Sequence, residues 1–211
     1  MRIALINASP KFKESACEVL LGDLKTFLPE NCETIELGLR KPQTDEKVIS
    51  ELTKADVWIF AYPLYFDGLP GHMLSCLMQI AETDAIKSVK KVYAIANCGF
   101  YEGKQNVNSL NVLENWCNRY NLSWCGGVGV GAGGCINTIS EMKPTKALKK
   151  PIGKALSCLA KNIANETSAE NLYTSVGLPR GLYKFLAEIS WRSTLKENGQ
   201  NPKDIAKQIT D

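Results

Sequence analysis

The sequence has one histidine in 211 residues, no Cys-x-x-Cys pair among its eight cysteines, and only 25 glycines and prolines combined. Such ordinary glycine and proline usage excludes collagen-like and low-complexity chains. The cysteines, at positions 17, 32, 76, 98, 117, 125, 135 and 158, lack the compact spacing that holds an iron–sulfur cluster, and no metal site is expected. A chain of this length builds its own core without disulfides, and several of the cysteines fall inside apolar helix or strand patterns, so reduced thiols are expected. No apolar stretch approaches the length that spans a bilayer, and the run Ile3 to Ile6 is too short for the core of a signal peptide. A cytoplasmic protein without membrane insertion is the expectation.

Charge of one sign is scarce too. The 25 basic and 22 acidic residues leave a net charge of +3, which carries no signature of a nucleic-acid partner. The balance hides a split, however. Residues 1–139 hold 13 basic and 15 acidic side chains, net −2, whereas residues 140–211 hold 12 and 7, net +5.

What is present is an alternation of short apolar runs with helical stripes. Ile3–Asn7, Thr34–Leu37, Val57–Ala61, Val92–Ala96 and Trp124–Val130 read as five strands. Between them, Cys17, Leu20, Leu21, Leu24 and Phe27 recur at helical spacing, as do Met73, Leu77 and Ile80, and Leu110, Leu113, Trp116, Cys117 and Tyr120; a short helix is expected over 44–54. Strands that are apolar throughout and separated by helices predict a doubly wound parallel sheet covered on both faces. Ligands of such sheets bind at the carboxyl ends of the strands, so the loops after the first, third and fourth strands are where chemistry is expected.

The first of these loops, Asn7-Ala8-Ser9-Pro10-Lys11-Phe12-Lys13-Glu14-Ser15, runs straight into a helix. Hydroxyls at Ser9 and Ser15, the Lys11 cation and the free N–H groups of a helix start make an anion site. It lacks the Walker spacing, and Ser15-Ala16-Cys17-Glu18 is also the spelling of an ordinary capping box. The loop after the third strand, Tyr62 to Gly71, sets Tyr65 and Phe66 among prolines and glycines. They could flank a flat heterocycle whose polar rim meets backbone groups from Pro63 to Phe66, or could cover the sheet edge or a subunit interface. The loop after the fourth strand, Asn97-Cys98-Gly99-Phe100-Tyr101-Glu102-Gly103, repeats the recipe.

These loops resemble the flavodoxin-like NAD(P)H-dependent FMN reductases, including their quinone-reductase-like members. Asn7-Ala8-Ser9-Pro10-Lys11 with Ser15 is similar to the Gly-Ser-Pro-Arg…Ser phosphate loop of that family. Pro63-Leu64-Tyr65-Phe66-Asp67-Gly68-Leu69-Pro70 is similar to its Pro-Val-Tyr-Trp…Met-Pro segment, and the Gly-containing loop from Asn97 is the third carrier. The resemblance covers about residues 1–135. It implies a five-stranded sheet of order 2-1-3-4-5, with residues 1–139 as FMN-binding core and 140–211 as a helical part completing a single domain plus a C-terminal extension. It implies FMN with its phosphate on Ser9, Lys11, Ser15 and the helix amides of Ala16 and Cys17. The ring would lie between Pro63, Leu64, Tyr65 and Phe66 on one side and Asn97, Cys98, Gly99, Phe100 and Gly103 on the other. Electrons would pass from NAD(P)H through FMN to a small acceptor such as a quinone, a nitro or azo compound or free flavin. No catalytic acid is needed, because the cofactor carries the chemistry. A homodimer is implied as well. Ala8 stands where the family has Gly, Lys11 gives a point charge where Arg would give a fork, and Asp67 adds a negative charge near the expected ring edge.

Two other function classes stay open. One is an FMN electron carrier without efficient NAD(P)H turnover, against which the mild +3 charge weighs because such carriers are strongly acidic. The other is a flavin-free interaction module that keeps only the fold. His72 opens a helix after the second loop and could approach a substrate there, but reads as a solvated helix-start residue. Gly129-Val130-Gly131-Ala132-Gly133-Gly134 matches G-x-G-x-x-G, but at the last strand and with Lys154 where a ribose-binding acid belongs, so it reads as a loop beside the ligand site. The lysines at 143, 146, 149, 150, 154 and 161 read as the solvated face of a helix, or as an attractor for the 2′-phosphate of NADPH. Helices are expected from Leu178-Pro179-Arg180 and from Asn201-Pro202-Lys203-Asp204, docked on the core or a partner subunit.

Overall fold

A computed structural model describes residues 1–88 and 91–201. Residues Met1–Gly177 form one compact unit and Leu178–Asp211 a second.

In chain order the first unit contains β1 (Arg2–Asn7), α1 (Ala16–Lys25), β2 (Glu33–Gly38), α2 (Glu46–Thr53), β3 (Val57–Pro63), α3 (Gly71–Ala81), α4 (Ala85–Ser88), β4 (Lys91–Asn97), α5 (Val107–Arg119), β5 (Ser123–Val130), α6 (Gly133–Ile136), α7 (Lys150–Ala164) and β6 (Leu172–Thr174). The sheet is parallel throughout, in the order β2-β1-β3-β4-β5-β6. This is the expected 2-1-3-4-5 arrangement with a sixth strand added at the far edge. β6 is three residues long, too short for periodicity to register, and pairs Leu172, Tyr173 and Thr174 with Val128, Gly129 and Val130. The part beyond residue 139 that completes the fold therefore runs to Gly177 and supplies a strand as well as a helix.

Both faces of the sheet are covered. On one, Ala4, Ile6, Trp58, Phe60, Tyr62, Val92, Ala94 and Ala96 meet Leu52 of α2, Met73, Leu77 and Ile80 of α3, and Leu110, Leu113 and Cys117 of α5. On the other, α1 packs over β1, β3 and β4, and α7 lies beside it over β5 and β6. Such two-sided burial explains why β1, β3 and β4 are apolar without alternation. Edge strand β2 has no fully buried residue, with Glu33, Glu36 and Gly38 exposed and Thr34, Ile35 and Leu37 half buried.

One lysine departs from the expected solvated row. Lys149 is completely buried, its Nζ 2.9 and 2.8 Å from the two carboxylate oxygens of Asp23 on α1 and 3.0 Å from the Ser140 carbonyl oxygen. Burial raises the Asp23 carboxyl above its ordinary value, opposed by Lys149. The pair ties the start of α7 to the last turn of α1, the helix that opens at the first loop. Lys143, Lys146, Lys150, Lys154 and Lys161 are exposed, as expected.

The second unit contains α8 (Arg180–Glu197), preceded by Pro179 and carrying an Arg192–Glu188 ion pair one turn apart. The helix expected from Asn201 onward lies outside the described residues. No helix among the described residues is long and apolar enough to cross a membrane.

Removing one partner of a buried ion pair strands the other. Lys149→Met should therefore lower unfolding free energy by about 3 kcal/mol, measured by urea titration. Adding Asp23→Leu to it should recover most of the loss.

Candidate functional site

Three loops meet at the carboxyl edge of the sheet around a cavity of about 260 Å³. Its walls are Ser9 and Lys11 from the first loop, Ala16 and Cys17 from α1, Pro63–Tyr65 after β3, Asn97–Gly99 after β4, and Gly133, Gly134 and Asn137 after β5. Ten of the fourteen residues anticipated from sequence line it. It sits where β1 and β3 are neighbours and their connections run to opposite sides, the switch point of a doubly wound sheet.

The first loop is held open by its own side chains. The Asn7 carboxamide oxygen accepts from the Ser9 N–H at 3.0 Å, and its nitrogen donates to Ser15 Oγ at 3.2 Å. Ser9 Oγ accepts from the Lys11 N–H at 3.3 Å. Ser15 caps α1 by accepting from the Glu18 N–H at 3.1 Å. Ala16 and Cys17, at the first two helical positions, keep the N–H groups that a helix start leaves without intrahelical acceptors. Outside the loop, Arg40 donates to the Lys11 carbonyl and lies over the Phe12 ring. The neutral hydroxyl of Ser9 and the Lys11 ammonium thus share a concavity with helix amides, an arrangement suited to a phosphate.

Asn97 stands at the centre of the opposite wall. Its Nδ2 donates to the Tyr62 carbonyl and to Cys17 Sγ, each at 3.1 Å. Because a carbonyl only accepts, that contact fixes which end of the carboxamide is nitrogen. Burial pushes the Cys17 thiol up to about 12, so it is a protonated, unreactive wall. The Cys98 thiol is raised for the same reason.

Tyr65–Gly68 forms a tight turn with reciprocal hydrogen bonds of 3.2 and 3.0 Å. Phe66 and Asp67 have φ of 47° and 57°, the left-handed geometry of a type I′ turn, which an aromatic residue adopts only under strain. Tyr65 reaches the cavity, whereas Phe66 is fully exposed at the tip. Phe100 is exposed as well and does not line the cavity, and Ser15 stands behind the wall as the helix cap. Gly103 is farther back: a Cβ there would come within 2.3 Å of the Thr174 carbonyl oxygen and 2.4 Å of that of Gly129. It sets the spacing between the β4 loop and the sheet.

The Gly129–Gly134 segment fixes the rear wall. The Ala132 N–H donates to the Phe100 carbonyl, Gly133 N–H to that of Cys98 at 2.7 Å, and Cys98 N–H to that of Val130 at 3.0 Å. A Cβ on Gly131 would lie 2.1 Å from the Tyr101 carbonyl oxygen, so close approach of two loops explains the glycines here. Asn137 was not foreseen from sequence: it carries no motif, and what places it is a hydrogen bond of 2.6 Å from its Nδ2 to the carbonyl of Glu14, across 123 residues. Its Oδ1 is buried without a partner. His72 also differs from expectation. It is half buried, with Nε2 3.1 Å from the Ala8 carbonyl oxygen.

A larger cavity of about 330 Å³ lies between α1 and the β1–β2 edge. It is lined by the carboxylates Glu18 and Glu36 beside Arg40, a poor setting for an anion, and only one of the three loops contributes to it through Asn7.

No family model and no curated protein sequence matches the chain. Solved structures do resemble it. An NADH:FMN oxidoreductase in its apo form superposes with a TM-score of 0.59 at 14% identity, over 80% of this chain and 91% of the other. An NAD(P)H:quinone oxidoreductase from Methanothermobacter marburgensis gives 0.55 at 12%, over 77% and 96%. An FMN-dependent NADH-azoreductase from Bacillus anthracis, in complex with FMN, gives 0.53 at 13%, over 78% and 100%. The chain has the flavodoxin-like fold that these proteins share.

Gly131→Ala should displace the β4 loop and lower stability by roughly 2 kcal/mol. Thermal unfolding checks this, with alanine at Gly134, where a Cβ meets nothing within 4 Å, as the control expected to melt like wild type.

Proposed function

We propose that this chain is an FMN-dependent oxidoreductase that draws electrons from NAD(P)H and passes them to a small-molecule acceptor, a quinone, a nitro or azo compound or free flavin. The observation that carries the reading is the union, in one cavity at the sheet's switch point, of an anion-binding helix start with a slot edged by Tyr65. The resemblance of the three loops to those of FMN reductases supports it, as does the fold shared with proteins whose names state FMN or NAD(P)H chemistry.

The residues fit a flavin mononucleotide in kind. Ser9 Oγ, Lys11, and the amides of Ala16 and Cys17 would hold its phosphate, with Ser15 fixing the helix start. The orphaned Asn137 Oδ1 would take a hydroxyl of its ribityl chain. Pro63, Leu64 and Tyr65 would flank the ring on one side and Asn97, Cys98 and Gly99 on the other, with Phe66, Phe100 and Gly103 supporting the two lips. At about 260 Å³ the cavity falls just below the usual range of ligand sites, so the ring's outer edge would stand outside it beside Tyr65, open to nicotinamide and acceptor in turn. When bound, FMN supplies the two-electron chemistry. The chain binds and orients it, and backbone N–H groups of the two lips stabilise negative charge on its reduced form. Cys17, held protonated, offers no nucleophile. A homodimer belongs to the same reading, with Leu74 and Met78 exposed on α3 directly after the lip. So does a role for the exposed lysines around α7 in attracting the 2′-phosphate of NADPH.

Reconstituted with FMN, the protein should show a bound-flavin visible spectrum that bleaches on adding NAD(P)H under anaerobic conditions. No bound flavin sinks the reading, and bound flavin that NAD(P)H reduces only sluggishly points to an electron carrier. Joint Lys11→Ala and Ser15→Ala substitution should weaken FMN binding by about a hundredfold, from two lost charge-assisted or capping contacts. Fluorescence titration measures it, and unchanged affinity refutes the phosphate assignment.

A further inference from the structure

The single histidine joins the two halves of the cavity. His72 is the second residue of α3, the helix that follows the Tyr65 lip, and its ring reaches back 64 residues in sequence to the phosphate-type loop. Its acceptor, the Ala8 carbonyl, belongs to a fully buried residue whose own N–H donates to Ala61 of β3 at 2.8 Å. That carbonyl and the Ser9 N–H are the two ends of one planar peptide, and the Ser9 N–H is already bound to the Asn7 carboxamide oxygen. With His72 on the carbonyl and Asn7 on the amide, this peptide cannot rotate. Its orientation aims Ser9, which lines the cavity and whose Oγ accepts from the Lys11 N–H.

We infer that His72 is a positioning residue for anion recognition: by donating Nε2–H to the Ala8 carbonyl it locks the Ala8–Ser9 peptide, and with it the Ser9 and Lys11 contacts that hold the ligand's phosphate. The inference rests on the FMN reading of the site. Without this donor, a buried carbonyl is left unsatisfied, and only the Asn7 bond resists a turn of the peptide that would bring its oxygen toward the cavity, where it would repel a phosphate. The N-cap residue of α3, Pro70, has no side chain that could cap the helix, and the first polar side chain of the helix, His72, serves the neighbouring loop. Because a carbonyl only accepts, the neutral imidazole must carry its proton on Nε2.

His72→Met and His72→Gln have nearly the same shape, and only glutamine retains a donor at the Nε2 position. Titrated with FMN, the methionine variant should bind about fivefold more weakly than wild type, the loss expected for one hydrogen bond, and the glutamine variant should stay within about twofold. Riboflavin, which lacks the phosphate, should bind all three proteins within about twofold. FMN affinity unchanged in the methionine variant overturns the inference, and so does an equal loss of FMN and riboflavin, which would mark a merely structural role. The wild-type protein gives a test independent of any variant. Imidazole nitrogen NMR should show the neutral ring protonated at Nε2, and a ring protonated only at Nδ1 overturns the inference. A wild-type chain that binds neither flavin overturns the FMN reading itself, and the inference with it.

Discussion

The cavity exists because Asn97 holds three segments in register. Its side-chain nitrogen bonds β3 through the Tyr62 carbonyl and α1 through Cys17 Sγ, while its backbone carbonyl accepts from the Leu64 N–H at 2.7 Å. One residue at the end of β4 thereby sets where the β3 loop turns outward and how close the first helix may approach. It is 6% exposed, so each of these bonds replaces water that cannot enter, and losing one leaves a buried polar atom at a cost of about 1–3 kcal/mol. Aspartate would be worse than alanine here, since it would bring a carboxylate oxygen against the Tyr62 carbonyl. The close approach that Asn97 enforces from the front is matched by glycines behind: side chains at Gly131 or Gly103 would push the β4 loop off the sheet.

Much of this architecture was legible in the chain. β1, β3, β4 and β5 are buried on both faces and therefore announce themselves as unbroken apolar runs, and their ends point to the loops that form the cavity. Ser9, Lys11, Tyr65 and Asn97 could be named because loop chemistry is local. β6 could not be, since Leu172–Thr174 has three residues and becomes a strand only by pairing with Val128–Val130. The buried state of Lys149 was partly visible. Counting back from Ile152, Leu156, Leu159 and Ile163, position 149 falls on the same buried stripe, but its partner Asp23 lies 126 residues away. The contacts of His72 with Ala8 and of Asn137 with Glu14 leave no local trace at all, since each joins segments that only the fold brings together.

The same distinction bears on the Gly129–Gly134 motif. Read as a dinucleotide fingerprint, it asks for free amides opening a helix toward a phosphate. In the fold, the amides of Gly131, Ala132 and Gly133 are all consumed by the carbonyls of Thr174, Phe100 and Cys98, and the helix that follows has only four residues. Its glycines answer to backbone crowding, and Ala132, with φ of 57°, takes a left-handed conformation that costs a non-glycine residue some strain. What the motif contributes to the cavity is a thin wall. Gly133 and Gly134 face it without side chains, and Asn137 follows one turn later.

The charge of the site follows from these constraints. Lys11 is the only cationic side chain among the cavity's lining residues, and it is exposed, so its field is largely screened by water and salt. An anion held here depends less on net charge than on amides that already point the right way, and orientation is what the Asn7, Ser9, Ser15 and His72 contacts supply. Such preorganisation lowers the cost of binding because the loop need not be ordered when the ligand arrives. It also bears on the uneven charge of the chain. Although residues 1–139 carry net −2, the helix start and loop amides at the cavity present fixed dipoles to an anion whatever that net charge. Of the 143–161 lysine row, only Lys149 turns inward, and its charge is paired with Asp23.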